Sequence, residues 1–203
     1  MANTTIFDYG AGNLLSLKTA LEKTGLTTTI ATTKEDLTQA DAIALPGVGN
    51  FTASLEKLAP VKETLQTKAK EGTPILGICL GLQLFFQTSQ EGPGEGLSLF
   101  KGEVKQLSAS TTVKVPHMGW NTLSIKKPTE LLEGIAEDTY VYFVHSLYPD
   151  PKDPTIVATQ THYGQTFTSA IAQKNIYGTQ FHPEKSGEAG IQILKNFAKI
   201  IVR

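Results

Sequence analysis

The stretch Ile75-Leu76-Gly77-Ile78-Cys79-Leu80-Gly81-Leu82-Gln83-Leu84-Phe85-Phe86 (ILGICLGLQLFF, residues 75–86) decides the fold of this 203-residue chain. Its first half is a short apolar run that reads as a buried strand, Pro74–Ile78. Its second half has the apolar spacing of a helix running from Cys79 to about Gln87. The chain's one cysteine sits at the junction, with a glycine two residues to either side. A strand that turns this sharply into a helix is a unit of an open parallel sheet.

Upstream, the same alternation repeats. Thr4–Tyr9 reads as a strand, Gly10-Ala11-Gly12 breaks it, and Asn13 is placed to cap a helix carrying Leu14, Leu17 and Leu21 and stopping near Gly25. Thr27–Thr33 is β-branched and strand-like, and Ala42–Leu45 is a short buried strand ending in Pro46-Gly47-Val48-Gly49. A helical pattern follows from Asn50 to about Lys70, interrupted at Pro60. Strands alternating with helices predict a parallel sheet covered on both faces.

Downstream the pattern is richer in strands: Phe100–Leu107, Thr122–Ile125, Val141–Ser146, Ile156–Thr161, Phe167–Ala172 and Ile176–Phe181. A last helix, Glu188–Ile201, places Ile191, Leu194, Ala198 and Ile201 on one face. The glycine cluster EGPGEG (91–96) reads as a loop between the halves. With no repeat, low-complexity tract or linker, the expectation is one α/β domain over residues 1–203. It has a mostly parallel central sheet flanked by helices and an additional antiparallel strand layer.

A formal net charge of -1 gives no electrostatic footprint for nucleic acid or an anionic membrane. No apolar run approaches the ~20 residues of a membrane span. The start MANTTIFDYG lacks the basic and apolar regions of a secretory signal. A lone cysteine leaves no internal disulfide and fits the reducing cytoplasm. The four histidines are scattered, without CxxC or HExxH, so neither a metal nor another cofactor is expected.

Chemistry in open parallel sheets gathers beyond the carboxyl ends of the strands. Two glycine-bearing turns, PGVGN and GICLG, sit at such ends. Gly77 and Gly81 are the small neighbours that a nucleophile on a strained elbow needs, and the Leu80 amide follows the nucleophile, where an oxyanion donor belongs. A free cysteine is equally at home as a small buried hydrophobe. In GTQFHPEKS (178–186), His182 ends a strand and Glu184 stands two residues on, so an extended backbone would point both side chains the same way. That is the base-and-orienter half of a triad, or a structural histidine beside a solvated glutamate.

Taken together, LPGVGNF (45–51), GICLGLQLF (77–85) and GTQFHPEKS (178–186) resemble the signatures of the triad-type, class I glutamine amidotransferases, in the family's order and over nearly the whole chain. FDYGAGN (7–13), VPHMGWN (115–121) and YFVHS (142–146) are similar to the glutaminase subunits of imidazole glycerol phosphate synthase. The resemblance implies a flavodoxin-like fold and a catalytic Cys79, His182 and Glu184. It implies an oxyanion hole from Gly47, Val48, Gly49 and Leu80, with glutamine contacts at Gln83, His145, Ser146 and Leu147. It also implies a heterodimer with a (β/α)₈-barrel cyclase of histidine biosynthesis, which receives ammonia through a channel. Asn13, His117, Trp120, Asn121, Tyr142 and Lys185 would stand at that interface or ammonia exit. Three alternatives remain open to the sequence: the glutaminase subunit of another synthase, such as pyridoxal phosphate synthase; a non-catalytic glutamine-binding regulatory subunit; or a cysteine hydrolase of related fold.

Overall fold

The computed structural model describes residues 3–202. Its main sheet is eight strands wide. In chain order the elements are β1 (Asn3–Phe7), α1 (Leu14–Glu22), β2 (Thr27–Ala31), α2 (Lys34–Thr38), β3 (Ala42–Leu45), α3 (Phe51–Leu58), α4 (Lys62–Glu71), β4 (Ile75–Ile78), α5 (Leu80–Gln83), β5 (Thr88–Ser89) and β6 (Gly102–Gln106). They continue as β7 (His117–Thr122), β8 (Ser124–Ile125), β9 (Tyr140–His145), β10 (Leu147–Pro151), β11 (Val157–Tyr163), β12 (Gln165–Gln173), β13 (Ile176–Thr179) and α6 (Gly187–Ile201).

The main sheet runs β2-β1-β3-β4-β13-β12-β11-β8. Pairing is parallel from β2 to β13 and antiparallel from there to β8. The additional layer is a three-stranded sheet, β10-β6-β5, and a two-stranded antiparallel ribbon, β7-β9. Strand alternation divides the apolar residues between two cores. Ile6, Leu76, Ile78 and Tyr177 face α1, α6 and the β7-β9 ribbon; Phe7, Ile43, Leu45 and Ile75 face α2 to α5 and β6.

Several boundaries differ from the sequence reading. Thr122–Ile125 splits at Leu123 between β7 and β8, and β7 begins at His117. Val141–Ser146 is shifted by one residue at each end: β9 ends at His145 and β10 starts at Leu147. Strand β10 (LYPDP) escapes a pattern search because of its two prolines, which it tolerates as an edge strand. Helix α2 is hidden by its shortness, although Thr33 caps it and pairs with Asp36. On α6 the buried face is Ile193, Leu194 and Phe197, while Ile191 and Ile201 are only partly covered.

The largest departure is α5, which ends at Gln83 rather than continuing to Gln87. The carbonyls of Leu84 and Phe85 accept from Leu97, Leu99 and Phe100, so the returning chain takes the bonds a longer helix would need. The elbow is packed against β3: a Cβ on Gly81 would lie 2.0 Å from the Leu45 carbonyl oxygen. That atom is backbone and cannot rotate away. Gly81→Ala should therefore cost roughly 3 kcal/mol or more, the upper range of overpacking. Gly72→Ala, with open space but φ of +93°, should cost about 1–2 kcal/mol. Urea-unfolding midpoints of the two variants check the order.

Candidate active site

Because β1, β3, β4 and β13 are parallel, their carboxyl ends meet at one edge, and the candidate residues lie on the turns leaving it. Cys79 follows β4 with φ 53° and ψ -106°, a conformation that non-glycine residues rarely hold. It is anchored by its amide, which donates to the Thr179 carbonyl at 2.7 Å. Space for the bend comes from its flanking glycines: a Cβ on Gly77 would stand 2.6 Å from Phe85 and 2.7 Å from Gly81. With α5 only four residues long, the elbow has less helix dipole behind it than the sequence pattern suggests.

His182 and Glu184 leave the neighbouring β13. His182 Nδ1 and Glu184 Oε1 are 2.8 Å apart, with side chains 3% and 6% exposed. Only His182 is extended; Pro183–Lys185 forms a 3₁₀ turn, so the contact arises from a different backbone than the extended one expected. Burial pushes the imidazole down, but interaction with Cys79 and with Glu184 outweighs it and raises the pKa to about 9. His182 Nε2 is buried without a formed hydrogen bond, as is Glu184 Oε2.

A cleft of about 230 Å³ opens beside the thiol. Cys79, Val48, Gly49, Leu80, Gln83, His145, Ser146 and Leu147 all line it, so the expected oxyanion and glutamine residues, Gly47 excepted, share one hollow. A second hollow of about 30 Å³ lies behind the loop, lined by Gly47, Val48, Asn13, His182, Glu184 and Lys185. Val48 borders both. Larger hollows of about 480, 580 and 590 Å³ lie elsewhere and gather no cysteine or histidine.

The Pro46–Gly49 loop is held at three points. The Tyr9 hydroxyl donates to the Pro46 carbonyl, the Leu80 amide donates to Gly47 O at 3.3 Å, and Gly12 packs against Gly47. In this conformation the Leu80 N–H, expected as an oxyanion donor, is already engaged. Burial, and next the charge of Cys79, push the Tyr9 hydroxyl well above its ordinary pKa, so it stays a donor.

The interface candidates separate. Trp120 is 55% exposed and packs edge-on to Tyr142 at 5.8 Å; the Tyr142 carbonyl accepts from the His182 amide at 2.9 Å. Asn13 is exposed and caps α1, and Lys185 is exposed. His117 does not join them. Strand alternation turns it inward, where it stacks between Tyr163 and Phe143 and meets His145, with Asn121 on its far side. Burial lowers the pKa of His117 to about 4; burial, chiefly, lowers that of His145 to about 3.

Sequence reasoning misses three polar neighbours. Glu91 lines the 230 Å³ cleft from the glycine-rich loop, where no periodicity could flag it. Tyr9 reads only as a strand end. Gln180 donates to the Cys79 sulfur at 3.5 Å; its signal is present, since it precedes His182 by two on an extended approach.

Residues 5–201 match the family described as class-I glutamine amidotransferase, and the chain belongs to that family. It is 50% identical over 197 residues to the imidazole glycerol phosphate synthase subunit HisH of Methanothermobacter thermautotrophicus, covering 97% of this chain and 98% of the relative. The HisH subunit of Pyrococcus furiosus is 46% identical over 202 residues, covering 98% and 100%. Among solved structures, a putative GMP synthase protein from Thermoplasma acidophilum superposes with TM-score 0.77 at 23% identity, covering 100% of this chain and 94% of that one. PurLQS from Thermotoga maritima gives 0.73 at 19%, covering 99% and 97%. These two likenesses establish the fold alone.

The three buried histidines should titrate apart. Imidazole C–H resonances should show His182 protonated up to about pH 9, with His117 and His145 neutral down to about 4 and 3. Since its folded pKa lies above the unfolded 6.5, His182 contributes stability that is whole below about 6.5 and lost as pH climbs through about 9. Cys79→Ala removes one of the raising interactions and should lower the His182 midpoint. An unchanged midpoint would mean that the thiol and the imidazole do not interact.

Proposed function

We propose that this chain is the glutaminase subunit of imidazole glycerol phosphate synthase, hydrolysing glutamine through a Cys79-His182-Glu184 triad and passing ammonia to a cyclase partner. The observation that carries the catalytic reading is the convergence of the Cys79 elbow and the hydrogen-bonded His182–Glu184 pair on one sheet edge, beside a cleft sized for an amino acid. Near-full-length identity to HisH subunits supports the synthase assignment. The catalytic unit is one domain over residues 1–203, and the reducing cytoplasm suits its single thiol.

Glutamine enters the 230 Å³ cleft with its side-chain amide toward Cys79. Gln83, Ser146 and the Leu147 backbone hold its far end, and the Glu91 carboxylate complements the α-ammonium. His182 Nε2, whose raised pKa keeps it protonated at neutral pH, already holds the thiol's proton as the Cys79 sulfur bonds to the amide carbon and the carbonyl oxygen gains charge. His182, held in one tautomer by Glu184, returns the proton to the departing nitrogen and ammonia leaves. Water then attacks the glutamyl thioester, giving its proton to His182, and the C–S bond breaks, releasing glutamate and restoring the resting Cys79–His182 pair. A raised imidazole pKa suits a base that must hold the proton until the nitrogen needs it.

The oxyanion needs donors that the resting loop withholds. Rotating the Gly47–Val48 peptide takes the Gly47 carbonyl off the Leu80 amide and turns the Val48 N–H toward the cleft. Glycines at 47 and 49 make that rotation accessible. One such donor is typically worth about 10²–10³ in rate, so the rotation works as the switch. Ammonia leaves past Val48 toward the hollow bordered by Asn13 and Lys185. Trp120 and Tyr142 flank the His182 turn, where a (β/α)₈-barrel cyclase would dock to form the heterodimer.

Cys79→Ala should abolish glutamine-dependent synthesis by the reconstituted synthase and leave synthesis from ammonium salts intact; loss of both activities would contradict this division of labour. Trp120→Ala should weaken pull-down of the cyclase by about ten-fold or more, as expected for an exposed aromatic that docking would bury, with glutamine hydrolysis by the isolated chain unchanged. Co-purification with a different barrel synthase would instead favour a glutaminase of that synthase.

A further inference from the structure

Gln180 is fully buried on the exit from β13, and its side chain makes two directional bonds. Its Nε2 donates to the Cys79 sulfur at 3.5 Å, and its Oε1 accepts from Gln83 Nε2 at 3.1 Å. The two ends of an amide are nearly isosteric, so its direction must be set by its partners. Here a backbone carbonyl, which can only accept, sets it. Leu147 O accepts from Gln83 Nε2 at 3.0 Å, so Gln83 presents nitrogen on that side and its second N–H faces Gln180. Gln180 must then turn its oxygen to Gln83 and its nitrogen to the sulfur.

Leu147 O is itself fixed. It also accepts from His145 Nδ1 at 2.8 Å, leaving His145 Nε2 as a bare acceptor for the Nδ1–H of His117 at 3.0 Å. Both rings are neutral through burial, so each carries one proton and the directions are forced along the chain. The network is consistent from the inner face of the β7-β9 ribbon to the thiol, and no step has two donors or two acceptors opposed.

The geometry points to Gln180 as a further catalytic residue: its side-chain N–H supports the sulfur of Cys79 as the thiol gives up its proton. This rests on Cys79 being the nucleophile. In the neutral thiol, the S–H donates to Val144 O at 3.6 Å. With that proton held instead by His182 Nε2, this bond is absent and the sulfur carries an extra lone pair. The Gln180 N–H is already in place and becomes a charge-assisted bond, roughly twice as strong as a neutral one. Because Gln83 lines the substrate cleft, a ligand that moves Gln83 also re-aims the donor on the sulfur. A purely structural Gln180 would satisfy Gln83 and do nothing for the thiol.

Alkylation of Cys79 by iodoacetamide in the full chain, followed by intact mass at neutral pH, separates the two roles. Gln180→Met keeps the side-chain length and removes the donor. It should slow alkylation by about ten-fold or more and lower glutamine turnover in the synthase in step, as loss of a hydrogen bond to a charged group implies, with ammonium-dependent synthesis unchanged. Wild-type rates of alkylation and turnover in a folded Gln180→Met chain would overturn the proposal. If that variant does not fold, the side-chain amide proton resonance of Gln180 in the unmutated chain decides. It should move as the thiol ionises and stay still in Cys79→Ala; a resonance indifferent to ionisation overturns the proposal as well. Labelling by a glutamine-analogue diazoketone keeps the two readings apart. An unlabelled Cys79 in the assembled synthase sinks the nucleophile assignment, whereas normal labelling in wild type and Gln180→Met alike sinks only the role of Gln180.

Discussion

The parallel pairing of β4 with β13 is the contact on which the site depends. These strands lie about a hundred residues apart in the chain, yet their register sets Ile78 opposite Thr179 and carries one more bond, Cys79 N–H to Thr179 O. That last bond fixes where the elbow begins relative to the exit of β13. A one-residue slip would turn every following side chain to the other sheet face and take His182 and Gln180 away from the sulfur together. Burial on both faces of the sheet opposes such a slip, since Ile75, Leu76, Ile176 and Tyr177 each belong to one of two cores. Packing energy far from the thiol thereby sets distances at the thiol.

Electrostatics then sorts residues that packing treats alike. His117, His145 and His182 are all buried, and burial alone lowers the pKa of each. No carboxylate answers the burial of His117 or His145, so burial wins there. His182 has the interaction with Cys79 and, next, Glu184 on its Nδ1, and there these outweigh burial. Burial makes two histidines neutral connectors; in the third it is outweighed, and the imidazole holds its proton. The difference lies in Cys79 first and then in Glu184, a carboxylate two residues away on a turn short enough to bring it back.

That division explains what can be read from the chain. The parallel half of the sheet is legible because Ala42–Leu45 and Pro74–Ile78 are apolar runs closed by glycine turns, and the strands end within a residue of those limits. Cys79, His182 and Glu184 are legible as types in order, although a 3₁₀ turn rather than an extended backbone joins the last pair. The layer built from β10 and the β7-β9 ribbon is less so. Its strands are short, proline-bearing or half exposed, and tertiary contacts choose their limits. His117 shows the failure plainly: VPHMGWN suggests one shared surface for His117 and Trp120, but a strand sends residues three apart to opposite faces. Gln180 is hidden in plain view because an amide has no distinctive signature until its partners are known.

The resting loop gives the last link between fold and control. Proline at 46 has no amide to commit, and its carbonyl is taken by Tyr9; glycine at 47 sits where a Cβ would meet Leu80 at 2.6 Å and the Tyr9 hydroxyl at 2.9 Å. No larger residue fits, so Gly47 is required by space before it is required by flexibility. That tightness fixes Pro46 and leaves rotation to the next peptide, which joins Gly47 to the half-exposed Val48. A single ordinary hydrogen bond, Gly47 O to the Leu80 amide, is all that this rotation must break at the elbow, a net cost of about 1 kcal/mol. In the proposed reaction the donor gained is worth several times that in the transition state. Negative charge arising in the cleft during that reaction would favour the rotated peptide. Since Val48 borders both hollows, a partner docking from the Lys185 side, as proposed, would act on the same peptide.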